Sequence, residues 1–237
     1  MNSTLSRRAL LQRGALALTG LTFTTAFGLR SARAAEGDSA QTILDVAATA
    51  ETFAVTHYYR ALQTDLFTDL QRSYLLAGLD SEWQHLLFLS GNGAKPATDK
   101  FYFPAGTFDN TSNFSAVTSI AETVFVAAYV AAASRFAELG SPALAATSAQ
   151  IAVVEGQHLA LVRLIGGQLP NDVSFGEALF GQVSEAVSLV SPLLDGKEGA
   201  LGAMESEAYA FPGNEAITAQ IGNSIIKAVD PFVVRTL

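Results

Sequence analysis

Glu155-Gly156-Gln157-His158 lies in a run with helical periodicity, and its Glu-x-x-His spacing directs a carboxylate and an imidazole to one helix face. The same pattern occurs 73 residues earlier as Glu82-Trp83-Gln84-His85, so the two copies use two of the three histidines in the chain. A single copy reads most simply as a solvated helix face. Two copies in apolar surroundings call for a shared explanation.

Each copy has a neighbouring helix with a buried-looking acid. The run before Glu155 starts at Ser141-Pro142, an N-cap followed by a proline suited to the first turn, and reaches Gly166-Gly167. Before it, Gly140 stops a densely apolar helix expected from about Asn113 to Glu138, in which Glu122 interrupts the apolar stripe. The run holding Glu82 spans about Thr68 to Ser90, with an irregularity expected at Gly78. It follows a helix expected from Ser39 to about Gln63, capped by Asp38 or Ser39, whose apolar stripe is interrupted by Glu51. Gly91 to Asn113, with Pro96, Pro104, Gly106 and several aromatics, reads as a long connection. After Gly167 only short helices are expected, near Ser184 to Leu194 and Glu215 to Val229, packed on the rest.

In an antiparallel hairpin, residues at one height are equidistant in sequence from the turn. The midpoint of Glu51 and Glu82, position 66.5, falls in Thr64-Asp65-Leu66-Phe67-Thr68, and that of Glu122 and Glu155, position 138.5, lies beside the Gly140 turn. All four carboxylates are thus expected at one level, about 24 Å from the turns at ~1.5 Å per residue. Tyr58 and Tyr129 each stand seven residues after Glu51 and Glu122, two turns along the same face. They read either as core packing, as hydrogen-bond partners that fix a carboxylate, or as redox-active phenols. His57, six residues after Glu51 and so about 240° round the helix, faces away and reads as structural or surface.

The 237 residues, 49% hydrophobic and 15% charged, suffice for one sizeable core. The absence of cysteine excludes disulfides, iron-sulfur clusters and thiolate zinc sites, so any metal must take O and N ligands. Ser6-Arg7-Arg8-Ala9-Leu10-Leu11-Gln12 resembles a twin-arginine export motif, with an apolar run from Gly14 to Leu29 and a small-x-small cleavage site at Ala32-Arg33-Ala34. Export to the periplasm or the extracellular space is therefore expected. The remaining chain would carry nine basic against 22 acidic residues, which argues against nucleic acid or an anionic membrane as partner.

Four glutamates facing one core cannot all stay ionised without compensation. Two divalent cations balance their four charges, and neutral imidazoles complete the coordination. Glutamate with histidine suits iron or manganese better than copper or magnesium, while zinc and cobalt are not separated by these donors.

One glutamate from each of two helices and Glu-x-x-His from each of the other two is the arrangement of di-metal carboxylate bundles. From about Ser39 to Gly166 the chain resembles the ferritin-like superfamily, and within it the branch that includes desiccation-related proteins. The resemblance implies an all-α ferritin-like four-helix bundle over residues 35–167, with a long crossover between helices two and three, after a signal peptide over 1–34 and before a C-terminal extension over 168–237. It implies Glu51 and Glu122 as terminal metal ligands, Glu82 and Glu155 as bridging ones, His85 and His158 as one imidazole per metal, and Tyr58 and Tyr129 as supporting residues near the catalytic centre. The expected cofactor is a pair of metal ions, iron or manganese. The expected partner is a small oxidant, peroxide or O2, or else Fe(II); no stable membrane span is expected in the mature chain, and homo-oligomerisation is open. The leading expectation is an oxidoreductase acting in stress protection. Two alternatives stand beside it: a desiccation-protection protein with a purely structural metal, and an O2-dependent oxidase of an organic substrate. The last needs a cavity, for which Ala127, Ala128, Ala131 and Ala132 leave room unless close helix packing explains them.

Overall fold

A computed structural model describes residues 37–195, 206–227 and 229–232; the export-signal reading of residues 1–34 lies outside them. Four long helices dominate: α1 (Ala40–Leu62), α2 (Asp69–Gly91), α3 (Thr111–Glu138) and α4 (Pro142–Ile165). Their starts are set by side chains that satisfy the first free backbone N–H groups. Ser39 Oγ accepts from Thr42 N at 3.1 Å, Asn110 Oδ1 accepts from Asn113 N at 2.9 Å, and Thr68 and Gln71 form a reciprocal capping box. Ser141 makes no such bond, contrary to expectation; α4 starts on Pro142 alone, which has no N–H to satisfy. Gly140, at φ 69°, turns the chain between α3 and α4.

α1 packs chiefly on α2 and α3 on α4, giving two hairpins that meet through α1 against α3 and α2 against α4. The register across the hairpins is legible in the contacts. Tyr58 meets Glu122 and Tyr129 meets Glu51, and each pair of positions sums to 180, as antiparallel helices require. Glu82 meets His158 and His85 meets Glu155, and both pairs sum to 240. With α1 antiparallel to both α2 and α3, those two run parallel, and the connection between them must cross the length of the bundle.

Gly78 does not interrupt α2. A Cβ there would come within 3.2 Å of the Tyr58 ring, so the glycine makes room for a phenol rather than for a bend. α3 is long and apolar enough to cross a membrane, but 61% of its most apolar window is buried among its neighbours, as befits a core helix.

The crossover is more ordered than a loop. Lys100–Pro104 forms strand β1, which pairs antiparallel with β2 (Ser206–Ala210) from the C-terminal segment, Phe101 opposite Tyr209 and Phe103 opposite Glu207. Strand alternation buries Phe101 and Phe103 completely, against Phe53 of α1 and Phe125 of α3. After α4 the chain forms a 3-10 turn (Val183–Glu185) leading into α5 (Ala186–Asp195), and later α6 (Asn214–Ile221). Instead of running on to Val229, α6 stops at Gly222, whose φ of 61° ends it.

Candidate metal centre

Each of the four long helices delivers an acid to the bundle axis: Glu51 from α1, Glu82 from α2, Glu122 from α3 and Glu155 from α4, all at most 1% exposed. His85 and His158 stand one turn beyond Glu82 and Glu155 on the same faces, as i, i+3 spacing requires. His85 Nδ1 lies 3.3 Å from Glu82 and 3.2 Å from Glu155, and His158 Nδ1 lies 3.1 Å from Glu155 and 2.8 Å from Glu82. The six side chains fall into two groups of four, Glu51 with Glu82, His85 and Glu155, and Glu82 with Glu122, Glu155 and His158. Within each group one donor atom per residue lies inside 4.8 Å of the others, and Glu82 and Glu155 belong to both.

Each glutamate keeps one buried carboxylate oxygen without a well-directed hydrogen bond: Glu51 Oε2, Glu82 Oε1, Glu122 Oε2 and Glu155 Oε1, although His158 Nδ1 lies 2.8 Å from Glu82 Oε1 and His85 Nδ1 3.2 Å from Glu155 Oε1. Buried polar atoms of native proteins are nearly always satisfied, so four orphans facing one another need an explanation. A cation gives one. Oxygen and imidazole donors converging at coordination range, with net negative charge, fit a divalent metal in each group.

The electrostatics without a metal are those of an uncompensated cluster. Burial, followed by repulsion from Glu82, pushes Glu51 well above the ordinary carboxylate range, and burial does the same to Glu122. Burial also opposes ionisation of Glu82, but hydrogen bonding with Glu51 and the charge of His158 bring it well below that range. Burial disfavours charge on His85 and His158, and the surrounding carboxylates overcome it, so both are raised.

The remaining oxygens are held by a second layer of residues. Tyr58 Oη donates to Glu122 Oε1 at 2.5 Å, and Tyr129 Oη donates to Glu51 Oε1. Each phenol therefore serves the glutamate of the opposite helix, not the one seven residues before it. Ser81 gives His158 its orientation: its hydroxyl donates to Ala77 O and Gly78 O at 2.8 and 3.0 Å, so its oxygen accepts from His158 Nε2–H at 2.9 Å. This places a proton on Nε2 and makes Nδ1 the nitrogen that faces the carboxylates and would face a metal. Sequence reasoning missed Ser81, because a serine one residue before Glu82 carries no periodic signal.

His57 stands apart from this cluster and is 1% exposed, which settles it as structural. Its ring stacks between Phe114, at 4.9 Å, and Phe53, at 5.8 Å, with Phe103 and Phe108 beside it. Thr118 Oγ1 donates to Phe114 O, so it accepts from His57 Nε2–H at 2.7 Å. Burial lowers the His57 pKa from 6.5 to about 3, and the ring is neutral.

The family model described as ferritin-like domain matches residues 39–168, which span α1 to α4 and all six clustered residues. No curated protein and no solved structure matches the chain.

Proposed function

This chain belongs to the ferritin-like domain family, and on that premise we propose that Glu51, Glu82, His85, Glu122, Glu155 and His158 hold two iron or manganese ions in an exported oxidoreductase. Its substrates are peroxide or O2, or Fe(II) as the reductant, and its role is stress protection like that of desiccation-related members. Glu82 and Glu155 belong to both groups of donors and would be shared between the two metals. Glu51 and Glu122, each in one group only, would hold one metal apiece, as would His85 and His158. The observation that carries the reading is the set of four buried carboxylates with four orphaned oxygens at the bundle axis.

Bound there, two redox-active ions supply one electron each, which matches the two-electron chemistry of peroxide. The chain's own residues set the conditions for it. Tyr58 and Tyr129 pin one oxygen of each terminal carboxylate and leave the other oxygen to the metal. Ser81 keeps His158 in the tautomer that leaves Nδ1 free. Burial of the four glutamates, each at most 1% exposed, strengthens every charge interaction among them. With no cysteine for a built-in electron carrier, substrates that bring their own electrons are favoured, namely peroxide disproportionation and Fe(II) oxidation.

Metal analysis of the exported protein, followed by H2O2 and Fe(II) assays, tests this. Two equivalents of iron or manganese and turnover of one of these substrates are expected. Folded protein that holds no redox metal and takes none up would overturn the proposal.

A further inference from the structure

We propose that the cavity lined by α1, α3 and α5 is a binding site for a small, uncharged, apolar molecule, set against the phenol that holds Glu51. Its volume is about 50 Å³, several times the roughly 10–15 Å³ that one water requires. Ala50, Ala121 and Ala128 leave the space, and α5 closes it with Val187, Val190 and Leu193. The C-terminal segment thus completes a site that the four long helices alone would leave open.

Two residues of the wall, Thr49 and Tyr129, carry hydroxyls, and neither has a hydrogen to offer. Thr49 Oγ1 donates to Asp45 O at 2.7 Å and accepts from Ala97 N at 3.0 Å, and the Tyr129 hydroxyl donates to Glu51. Water or peroxide in this space would find at most a hydroxyl lone pair to donate to and would forfeit its remaining hydrogen bonds. An apolar molecule forfeits none and gains dispersion contacts with the lining. A second, smaller cavity of about 10 Å³ also has Ala47, Tyr129 and Ala132 in its wall, so both described cavities converge on Tyr129. Tyr58 lines neither. Its ring is packed against Gly78 and lies 5.8 Å from the His158 ring. Both described cavities thus lie against the phenol that bonds Glu51.

The ligand class includes O2 and short hydrocarbons. That such a molecule would be a co-substrate rests on the preceding proposal; that it binds does not. Methyl NMR of the full chain, with any iron or manganese replaced by diamagnetic Zn(II), separates the two. Under pressurised O2, the methyl signals of Val46, Val124 and Val190 should relax several-fold faster than those of Val162 and Ile165, which lie outside the cavity. Ethane in place of O2 should shift the same signals if the occupant is a short hydrocarbon and leave them unmoved if only a diatomic gas fits. Ala128→Phe, and independently Ala50→Leu, should abolish the response while the Val162 and Ile165 signals report an intact bundle. No selective response in the unmutated chain to either probe would overturn the proposal, as would an equal response to methanol. An inactive protein that still shows the selective response would overturn the enzymatic reading alone.

Discussion

Tyr129 on α3 donates its phenol hydrogen to Glu51 on α1, across the bundle rather than along its own helix. Tyr58 and Glu122 make the reverse connection. Burial and the adjacent carboxylate raise both phenols well above their ordinary value, so they remain donors throughout the accessible pH range. Tyr129→Phe and Tyr58→Phe should each destabilise the protein by about 1.5–3 kcal/mol, as expected for a hydrogen bond to a charged group. Each should also weaken metal binding ~10–100-fold, as loss of a partner that orients a ligand does. Competitive metal titration checks this; unchanged affinity in both variants would leave the phenols as packing alone.

The shared glutamates should behave differently from the unshared residues. Glu155→Gln removes a donor common to both groups and is expected to abolish binding of both metals. His158→Ala removes a donor of one group only, and should reduce the stoichiometry by one. Elemental analysis of variants with wild-type helical circular dichroism distinguishes the two. Equal losses would argue against two overlapping sites.

Ser81→Ala leaves the Ala77 and Gly78 carbonyls in their helix but removes the acceptor for His158 Nε2–H. The imidazole is then free to rotate or change tautomer. Affinity for one metal should fall ~10-fold, while stability falls by only about 1 kcal/mol. Ser81→Thr, which retains the hydroxyl, should restore the affinity.

His57 predicts an acid limit independent of the metals. Its folded pKa is lowered from 6.5 to about 3 by burial, so the unfolded chain takes up a proton that the native state refuses. The contribution is fully present above pH 6.5 and is lost as pH falls from 6.5 towards 3, on the order of 5 kcal/mol in total. His57→Phe fits the stack between Phe53 and Phe114 and should remove this component. Denaturant titrations at pH 7 and pH 4 are expected to show a smaller pH effect in the variant; an identical effect would refute the assignment.

The six clustered residues, their common height and the four long helices were legible in the sequence because a helix has a fixed rise and a fixed angular step. Glu82 and His85 share a face by local geometry, and Glu122 and Glu155 share a height because only a tight Gly140 turn separates their helices. An acid amid Val, Phe and Ala stands out for the same reason. Four features depended on contacts between distant segments. Phe101 and Phe103 alternate as a strand does, yet the ladder exists only because Ser206–Ala210 supplies its other half. Gly78 looked like a flaw in a helix until the Tyr58 ring was placed against it. The choice of which glutamate each tyrosine bonds, and the cavity that α5 closes beside Tyr129, follow from how the two hairpins and the C-terminal segment pack. Periodicity states which way a side chain points from its own helix; it carries no information on what the neighbouring element brings to meet it.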